Sequence, residues 1–149
     1  MAQPVDDIFS PGNPEDLFEI YQILNEGEFG STYKAILKAT KQHCALKRIE
    51  FKQIDDCNKF TREIATWKLP THQVFTTLIG IWQQTPTNYW IAVDLCEFES
   101  LLGAIILTKH GLQEAQLSFV LRQVLEGLIE LHSNNKVHRR IQGSNILLT

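Results

Sequence analysis

The segment from Val137 to Thr149 carries the side chains with the clearest chemical implications. Its polar residues are His138, Arg139, Arg140, Gln142, Ser144 and Asn145. A guanidinium stays protonated at any relevant pH and offers no lone pair, so Arg140 cannot act as a general base. The segment therefore brings positive charge, and a residue other than Arg140 would have to accept any proton.

Two further groups of residues could contact an anion. Gly27 and Gly30 lie between two strand-like segments, and Lys47 and Glu63 are 16 positions apart. Taken alone, a pair of glycines in a hairpin is typical of a turn, and a lone lysine or glutamate is typical of solvated surface. Only the order in which these groups follow one another along the chain favours a functional interpretation.

The hydrophobic pattern predicts the elements that would position these residues. Alternating or β-branched and aromatic segments predict strands over residues 17–26, 31–38, 43–51, 78–83 and 89–95. Apolar residues at helical spacing predict helices over 55–69 and 114–133, with Pro70 ending the first. Residues 101–108 suit a short helix or a strand. On the third strand, alternation places Ala45 and Lys47 on one face and Cys44, Leu46 and Arg48 on the other.

Taken in order, these segments resemble a eukaryotic protein kinase domain. Residues 24–35 resemble its glycine loop, Cys44 to Lys47 its V-A-I-K strand, residues 89–96 its hinge, and 131–149 the approach to its catalytic loop and the loop itself. The resemblance implies ATP as ligand, with Lys47 on the phosphates, Glu63 pairing with Lys47, and backbone groups of Asp94 and Cys96 on adenine. The implied nucleotide-binding residues are Asn25, Gly27, Gly30, Thr32, Ala45, Lys47, Glu63, Val93, Asp94 and Cys96.

The chain departs from the family pattern at several of these positions. Asn25 stands for the first glycine of the loop, and Thr32 for a valine that packs on adenine. Asparagine tolerates positive φ better than most residues, which would preserve the turn. Arg140 occupies the position of the catalytic Asp, and Gln142 that of a lysine which approaches the transferred phosphate. Asn145 matches a magnesium ligand, but the sequence ends before an Asp-Phe-Gly segment, so the metal site is expected to be incomplete and ATP binding weak.

Two segments indicate which group of protein kinases the chain resembles most. The opening Phe18-Glu19-Ile20 and the ending from Gly143 to Thr149 are most similar to the sterile-20-like, germinal-centre type of serine/threonine kinase. This resemblance implies a fold of class α+β. Residues 1–16, acidic and rich in proline, are expected to be a flexible lead-in. Residues 17–95 are expected to form the N-lobe, and 96–149 the hinge and the start of the C-lobe, within a partial kinase domain over 17–149.

Composition argues against several other classes of protein. A formal net charge of −3 with interspersed signs gives no basic surface for nucleic acid. The longest apolar run, residues 101–107, is far shorter than the roughly 20 residues of a membrane span. The three cysteines are expected to be free thiols, and the five histidines form no metal-ligand pattern. No signal-peptide pattern opens the chain, so a cytosolic location is expected by default.

The helix predicted over 114–133 has an unusually wide apolar face. At 100° per residue its aliphatic side chains cover an arc of about 180°, wider than a helix packed on one neighbour needs. We therefore expect a protein partner, or self-association, over Leu117, Leu121, Val124 and Leu128.

Three interpretations of the function follow. The favoured one is a catalytically inactive, pseudokinase-like or truncated binding module that holds a nucleotide through Lys47 and the hinge. The second is an active ATP-dependent serine/threonine kinase of a signalling cascade, which needs another acid to replace the Asp missing at Arg140. The third is a fragment with no function as a folded protein.

Overall fold

The chain forms two compact units. A computed structural model describes residues 8–27, 30–65, 72–98 and 100–149. The first unit comprises Met1–Leu69 and Thr77–Leu95, and the second comprises Pro70–Thr76 and Cys96–Thr149. The lobe bounds expected from the sequence stay a prediction.

The first unit is built on one antiparallel sheet of five strands. Its strands are β1 (Phe18–Gly27), β2 (Gly30–Leu37), β3 (Gln42–Glu50), β4 (Leu78–Thr85) and β5 (Asn88–Asp94). Their order across the sheet is β1-β2-β3-β5-β4, and each neighbouring pair is antiparallel. This arrangement confirms the predicted α+β fold with a five-stranded antiparallel sheet.

One face of the sheet packs against residues that precede β1, between Pro11 and Leu17. The buried residues on this face are Phe18, Ala35, Cys44, Leu46, Trp82, Trp90 and Ala92. The indole N–H of Trp82 donates to the carbonyl oxygen of Pro11 at 3.1 Å, and the amide of Ser10 donates to the carbonyl oxygen of Ile81 at 2.6 Å. A four-residue helix, α1 (Pro14–Leu17), then leads into β1. Pro11 and Leu17 contact this face of the sheet, and the flexible lead-in expected over residues 1–16 stays a prediction.

The opposite face of the sheet is covered by a longer helix, α2 (Ile54–Ala65). Cys57 and Ile64 of this helix are buried against the sheet residues Ile49, Ile81, Tyr89 and Ile91. The rings of Phe51, Phe60 and Tyr89 meet edge to face or tilted, with centroids between 5.1 Å and 5.9 Å apart. The predicted continuation of this helix to residue 69, including Trp67 and Pro70, lies outside the described residues.

The second unit contains two helices and a loop over residues 137–149, which we call the closing loop. The segment that suited either a helix or a strand is a helix, α3 (Leu101–Thr108), because the Ser100 hydroxyl caps its first turn by accepting from the Gly103 amide at 3.1 Å. Helix α4 (Glu114–Ser133) follows with the predicted bounds. A 3₁₀ turn (Gly143–Asn145) lies in the closing loop, and Ser100 and Leu147 form an antiparallel bridge. Among the described helices, none is long and apolar enough to cross a membrane.

Helix α4 is buried along only part of its apolar arc. Gly127 and Leu131 are buried, and a Cβ built on Gly127 would lie 3.0 Å from Cγ2 of Val74 and 3.3 Å from Cζ of Phe75. Val74 and Phe75 therefore pack against α4 at Gly127. On this arc the side chains that remain exposed, by 43% to 68%, are Leu117, Leu121, Leu125 and Ile129.

The contact at Gly127 predicts the effect of a larger residue there. Gly127→Leu would force a side chain against Val74 and Phe75, and overpacking of this kind costs about 1–3 kcal/mol of unfolding free energy. We expect a lower urea midpoint for the variant, measured by circular dichroism. Gly111→Leu is the control, since a Cβ at Gly111 would meet no atom within 4 Å. An equal midpoint for Gly127→Leu and the unsubstituted chain would contradict this packing.

Candidate functional site

The turn between β1 and β2 is shaped by a glycine that no other residue could replace without strain. Gly27 and Gly30 are paired in the ladder, and Gly30 has a φ of +129°. A Cβ on Gly30 would collide with the carbonyl oxygen of Arg48 on β3. The backbone at the start of β2 can therefore approach β3 only because residue 30 lacks a side chain. Glu28 and Phe29, at the tip of the predicted glycine loop, lie outside the described residues.

Asn25 keeps its place in the loop for a reason different from the one expected. Positive φ was the expected role of this asparagine, but it is absent from the residues with positive φ. Asn25 lies in β1, opposite Thr32 of β2, immediately after an irregularity in the strand register between Ile23 and Asn25. Asn25 therefore lies in extended backbone, a conformation that does not require glycine.

Four of the predicted nucleotide-binding residues on the three inner strands lie on one face of the sheet: Thr32, Ala45, Lys47 and Val93. Thr32 is opposite Lys47, and Ala45 is opposite Val93. Because side chains alternate along a strand, Ala45 and Lys47 point away from the buried Cys44 and Leu46. Lys47 is exposed and shares its face with Ile49 and Ile91, the residues that α2 covers further along. The predicted alternation on β3 is confirmed.

Glu63 is carried by α2 and is exposed. Helix α2 packs on the face of the sheet that also carries Lys47. The ion pair between Glu63 and Lys47 stays a prediction.

The end of β5 is tied to its surroundings by the backbone and the side chain of Asp94. Its amide donates to the carbonyl oxygen of Thr77 at 3.0 Å, and its carboxylate accepts from the side-chain amide of Gln42 at 2.9 Å. Sequence reasoning missed Gln42, since an exposed glutamine at the start of a strand carries no signal of its own. Cys96, the other predicted adenine contact, is half-buried at the start of a segment of the second unit.

Two cysteines of the first unit are held as neutral thiols. Burial, assisted by the negative charge of Asp94, raises the pKa of Cys44 to about 11. Burial likewise raises the pKa of Cys57. Because the thiolate is the nucleophile, neither residue offers reactive sulfur at neutral pH.

In the second unit, the closing loop is held together by hydrogen bonds to its own backbone. After α4, Asn135 and Arg139 adopt positive φ, at 56° and 65°. The amide of Arg140 donates to Nδ1 of His138 at 3.2 Å, and the side-chain amide of Asn145 donates to the carbonyl oxygen of Arg140 at 2.9 Å. The residue at position 140 is therefore fixed by its main chain while its side chain is exposed.

The side chains of this loop provide no general base of the carboxylate type. From Val137 to Thr149 the sequence has no aspartate or glutamate. Gln142 donates to the hydroxyl of Ser144 at 2.8 Å and brings no charge. The loop has the hydrogen bonding of an ordered turn, but positions 140 and 142 carry a cation and a neutral amide.

A metal site is poorly supported among the residues that the structure describes. They contain no group of three or more histidine, cysteine, aspartate or glutamate residues that could hold an ion. The side-chain nitrogen of Asn145 donates to the carbonyl oxygen of Arg140. Only Oδ1 of this side chain could therefore bind a cation. A magnesium ion generally needs several oxygen ligands in octahedral geometry.

Comparison with known proteins identifies the family. The sequence profile described as "Protein kinase domain" matches residues 18–149. The chain belongs to the protein kinase domain family. It is 37% identical over 134 residues to the serine/threonine-protein kinase pakG of Dictyostelium discoideum, covering 90% of this chain and 11% of that protein.

Two other relatives agree with this assignment. Over 139 residues the kinase-domain chain is 32% identical to serine/threonine-protein kinase 10 of Xenopus tropicalis, covering 92% of this chain and 14% of that protein. Over 136 residues it is 34% identical to the serine/threonine-protein kinase 4 homolog A of Dictyostelium discoideum, covering 91% of this chain and 29% of that protein. The family prediction is confirmed, and the chain spans less than a third of the length of these relatives.

The state of the three thiols in this kinase-domain chain can be measured directly. Iodoacetamide at pH 8 should modify Cys96 at least about tenfold faster than Cys44 or Cys57, because burial leaves the latter two almost no thiolate. Peptide mass spectrometry after timed quenching gives the three rates. In concentrated urea the rates should converge. Similar rates for the three cysteines of the native chain would contradict the burial described above.

Proposed function

We propose that this kinase-domain chain is a nucleotide-binding module of sterile-20-like serine/threonine kinase lineage that does not transfer phosphate. The observation that carries the proposal is the chemistry at position 140. Family members use an aspartate there to accept the proton of the substrate hydroxyl, whereas this chain has an exposed arginine in a loop without any carboxylate. We further propose that the protein works in the cytosol.

The residues of the first unit support the nucleotide-binding half of the proposal. Lys47 projects an exposed ammonium from β3, opposite Thr32. The ammonium is a compact cation suited to phosphate oxygens. Gly27 and Gly30 place unhindered backbone at the neighbouring turn, and Ala45 and Val93 offer small apolar side chains on the face that also holds Lys47. In the family pattern this face contacts ATP.

The loop of the second unit supports the inactive half of the proposal. Phosphate transfer in this family relies on positioning and on metal ions that neutralise developing charge. Position 140 has lost the proton acceptor and position 142 a positive charge. The described residues do not suit magnesium. Arg139 and Arg140 add fixed positive charge to the loop.

Because relatives of this chain are serine/threonine-protein kinases, a second candidate is an active serine/threonine kinase. Such an enzyme would need a proton acceptor other than residue 140. His138 is the titratable neighbour in the loop, and its Nδ1 already accepts from the Arg140 amide. The two candidates differ in one measurable property, which is transfer of the γ-phosphate.

Phosphate transfer by the purified 149-residue chain should be absent. With labelled ATP, magnesium and a generic protein substrate, the unsubstituted chain should transfer no more phosphate than the Lys47→Ala variant. This variant is the control for contaminating kinases. The double variant Arg140→Asp, Gln142→Lys should also be inactive, because the metal ligands are still missing. Magnesium-dependent transfer that disappears in Lys47→Ala would overturn the inactive half and leave the second candidate.

ATP binding should be weak and nearly independent of magnesium. We expect millimolar ATP to raise the melting temperature by a similar amount with magnesium and with EDTA, since the positive charge of Lys47 does not depend on a metal. Lys47→Ala should weaken binding about tenfold or more, as expected for loss of a charged hydrogen bond. Lys59→Ala, on the exposed side of α2, is the matched control. A shift that requires magnesium, or no shift at all, would contradict the nucleotide-binding proposal.

A further inference from the structure

The segment that precedes α1 crosses the edge of the sheet, and we call residues 8–13 the strap. Strand β4 is the edge strand next to β5. The side chain of Phe9 packs on the face of the sheet that α2 covers. The carbonyl oxygen of Pro11 accepts from the indole of Trp82 on the opposite face. Ser10 therefore lies at the point where the strap passes over β4.

Ser10 fits closely against β4. Its amide donates to the carbonyl oxygen of Ile81 at 2.6 Å. Its hydroxyl oxygen lies 2.7 Å from the position that a Cβ on Gly80 would occupy. Gly80 and Ile81 are buried, and Ser10 is half-buried. The hydroxyl of Ser10 thus takes the space that a side chain at position 80 would need.

The residue after Ser10 is a proline, and this dipeptide is the one that proline-directed protein kinases modify. Proline has no N–H and holds the residue before it in extended backbone. The sequence has one other serine or threonine followed by proline, Thr85-Pro86, in the turn from β4 to β5. There the hydroxyl of Thr85 accepts from the amide of Asn88 at 3.1 Å. Both dipeptides are candidates by sequence.

The structure favours Ser10 over Thr85 as the residue that another enzyme can reach. A hydroxyl enters an active site only when it leaves its neighbours together with the backbone on both sides. For Ser10 the strap has to lift from Ile81 and Trp82, and the five-stranded ladder is left intact. Thr85 is paired with Asn88 in that ladder, so its release opens the sheet. Local opening costs less free energy where fewer buried contacts are broken.

A phosphate on Ser10 is incompatible with the docked strap. A phosphoserine carries a charge of about −1.5 to −2 at pH 7. The hydroxyl oxygen already fills the space beside Gly80, so a phosphorus atom with three further oxygens does not fit there. Gly80 and Ile81 carry no charge that could pair with the phosphate, and burial of an unpaired charge is strongly unfavourable. The modified strap therefore stays detached.

We propose that Ser10 is a phosphorylation site for a separate, proline-directed protein kinase, and that its modification releases the strap from β4. The hydroxyl oxygen of Ser10 forms a bond to the γ-phosphorus of ATP while the bond from that phosphorus to the β–γ bridging oxygen breaks. ADP leaves with the electron pair of the broken bond, and the hydroxyl proton passes to a base of the modifying kinase. The proposal goes beyond the proposed function and does not depend on nucleotide binding by this chain.

Release of the strap changes what the edge of the sheet offers to other molecules. The carbonyl oxygen of Ile81 and the indole N–H of Trp82 lose the partners that the strap supplies. An edge strand with free backbone groups can pair with an added strand. Phosphorylation of Ser10 thus switches β4 from a covered edge to an open one.

The first test locates the phosphate. The purified 149-residue chain is incubated with an active cyclin-dependent kinase and magnesium ATP, and tandem mass spectrometry identifies the modified residue. We expect one phosphate, on Ser10, and none at this position in Ser10→Ala. Pro11→Ala should slow the reaction at least about tenfold, because the enzyme selects for proline. Pro86→Ala is the matched control and should leave the rate at Ser10 unchanged.

The second test asks whether opening of the strap limits the reaction. Trp82→Phe keeps an aromatic ring on the sheet but removes the N–H that donates to Pro11. The sequence around Ser10 is unchanged, so recognition by the modifying kinase is also unchanged. Loss of one hydrogen bond should increase the open fraction of the strap and raise the rate of phosphorylation about threefold or more. The quantity measured is the initial rate at Ser10.

The third test measures release by hydrogen–deuterium exchange. Residues 8–13 of the phosphorylated chain should exchange at least about tenfold faster than those of the unmodified chain, because the amide of Ser10 loses its bond to Ile81. Strand β3 should exchange at the same rate in both forms. It is the internal control, since it lies at the centre of the sheet.

Several outcomes would overturn the proposal. The site is wrong if Ser10 receives no phosphate, if Thr85 is modified instead, or if Pro86→Ala slows the reaction at Ser10 as much as Pro11→Ala does. The opening step is wrong if Trp82→Phe leaves the rate unchanged. The release is wrong if the phosphorylated strap keeps its protection from exchange, or if β3 loses protection together with it.

Discussion

Strand β3 holds the first unit together because both of its faces carry buried side chains. It lies at the centre of the sheet, between β2 and β5. Cys44 and Leu46 are fully buried on one face, and Ile49 is buried on the other. A shift of the register by one residue would bury Lys47 and expose Leu46, which is too costly to compete. The position of the lysine is therefore a consequence of burying its neighbours.

The elements that could be predicted are those whose pattern depends on local chemistry. The bounds of α4 followed from eight aliphatic residues at helical spacing, and the faces of β3 followed from alternation. Helix α3 was ambiguous because its run is apolar all round, and the cap at Ser100 decided it. The family followed from the order of short motifs, each of them weak alone.

Features that depend on distant contacts could not be predicted. The packing of residues 8–17 rests on Trp82 reaching Pro11, 71 positions earlier in the chain. The periodicity of α4 gave the full apolar arc, but the part that Val74 and Phe75 cover depends on a loop whose path the pattern does not contain. The register irregularity that precedes Asn25 in β1 likewise leaves no signal in the sequence.

The hydrogen bond between Asn145 and residue 140 separates the shape of the closing loop from its chemistry. Asn145 binds the carbonyl oxygen of Arg140, an atom that every amino acid supplies. The bond that closes the loop is therefore compatible with any side chain at position 140. The shape of the loop depends on the main chain of this residue, whereas the chemistry at this position depends on the side chain.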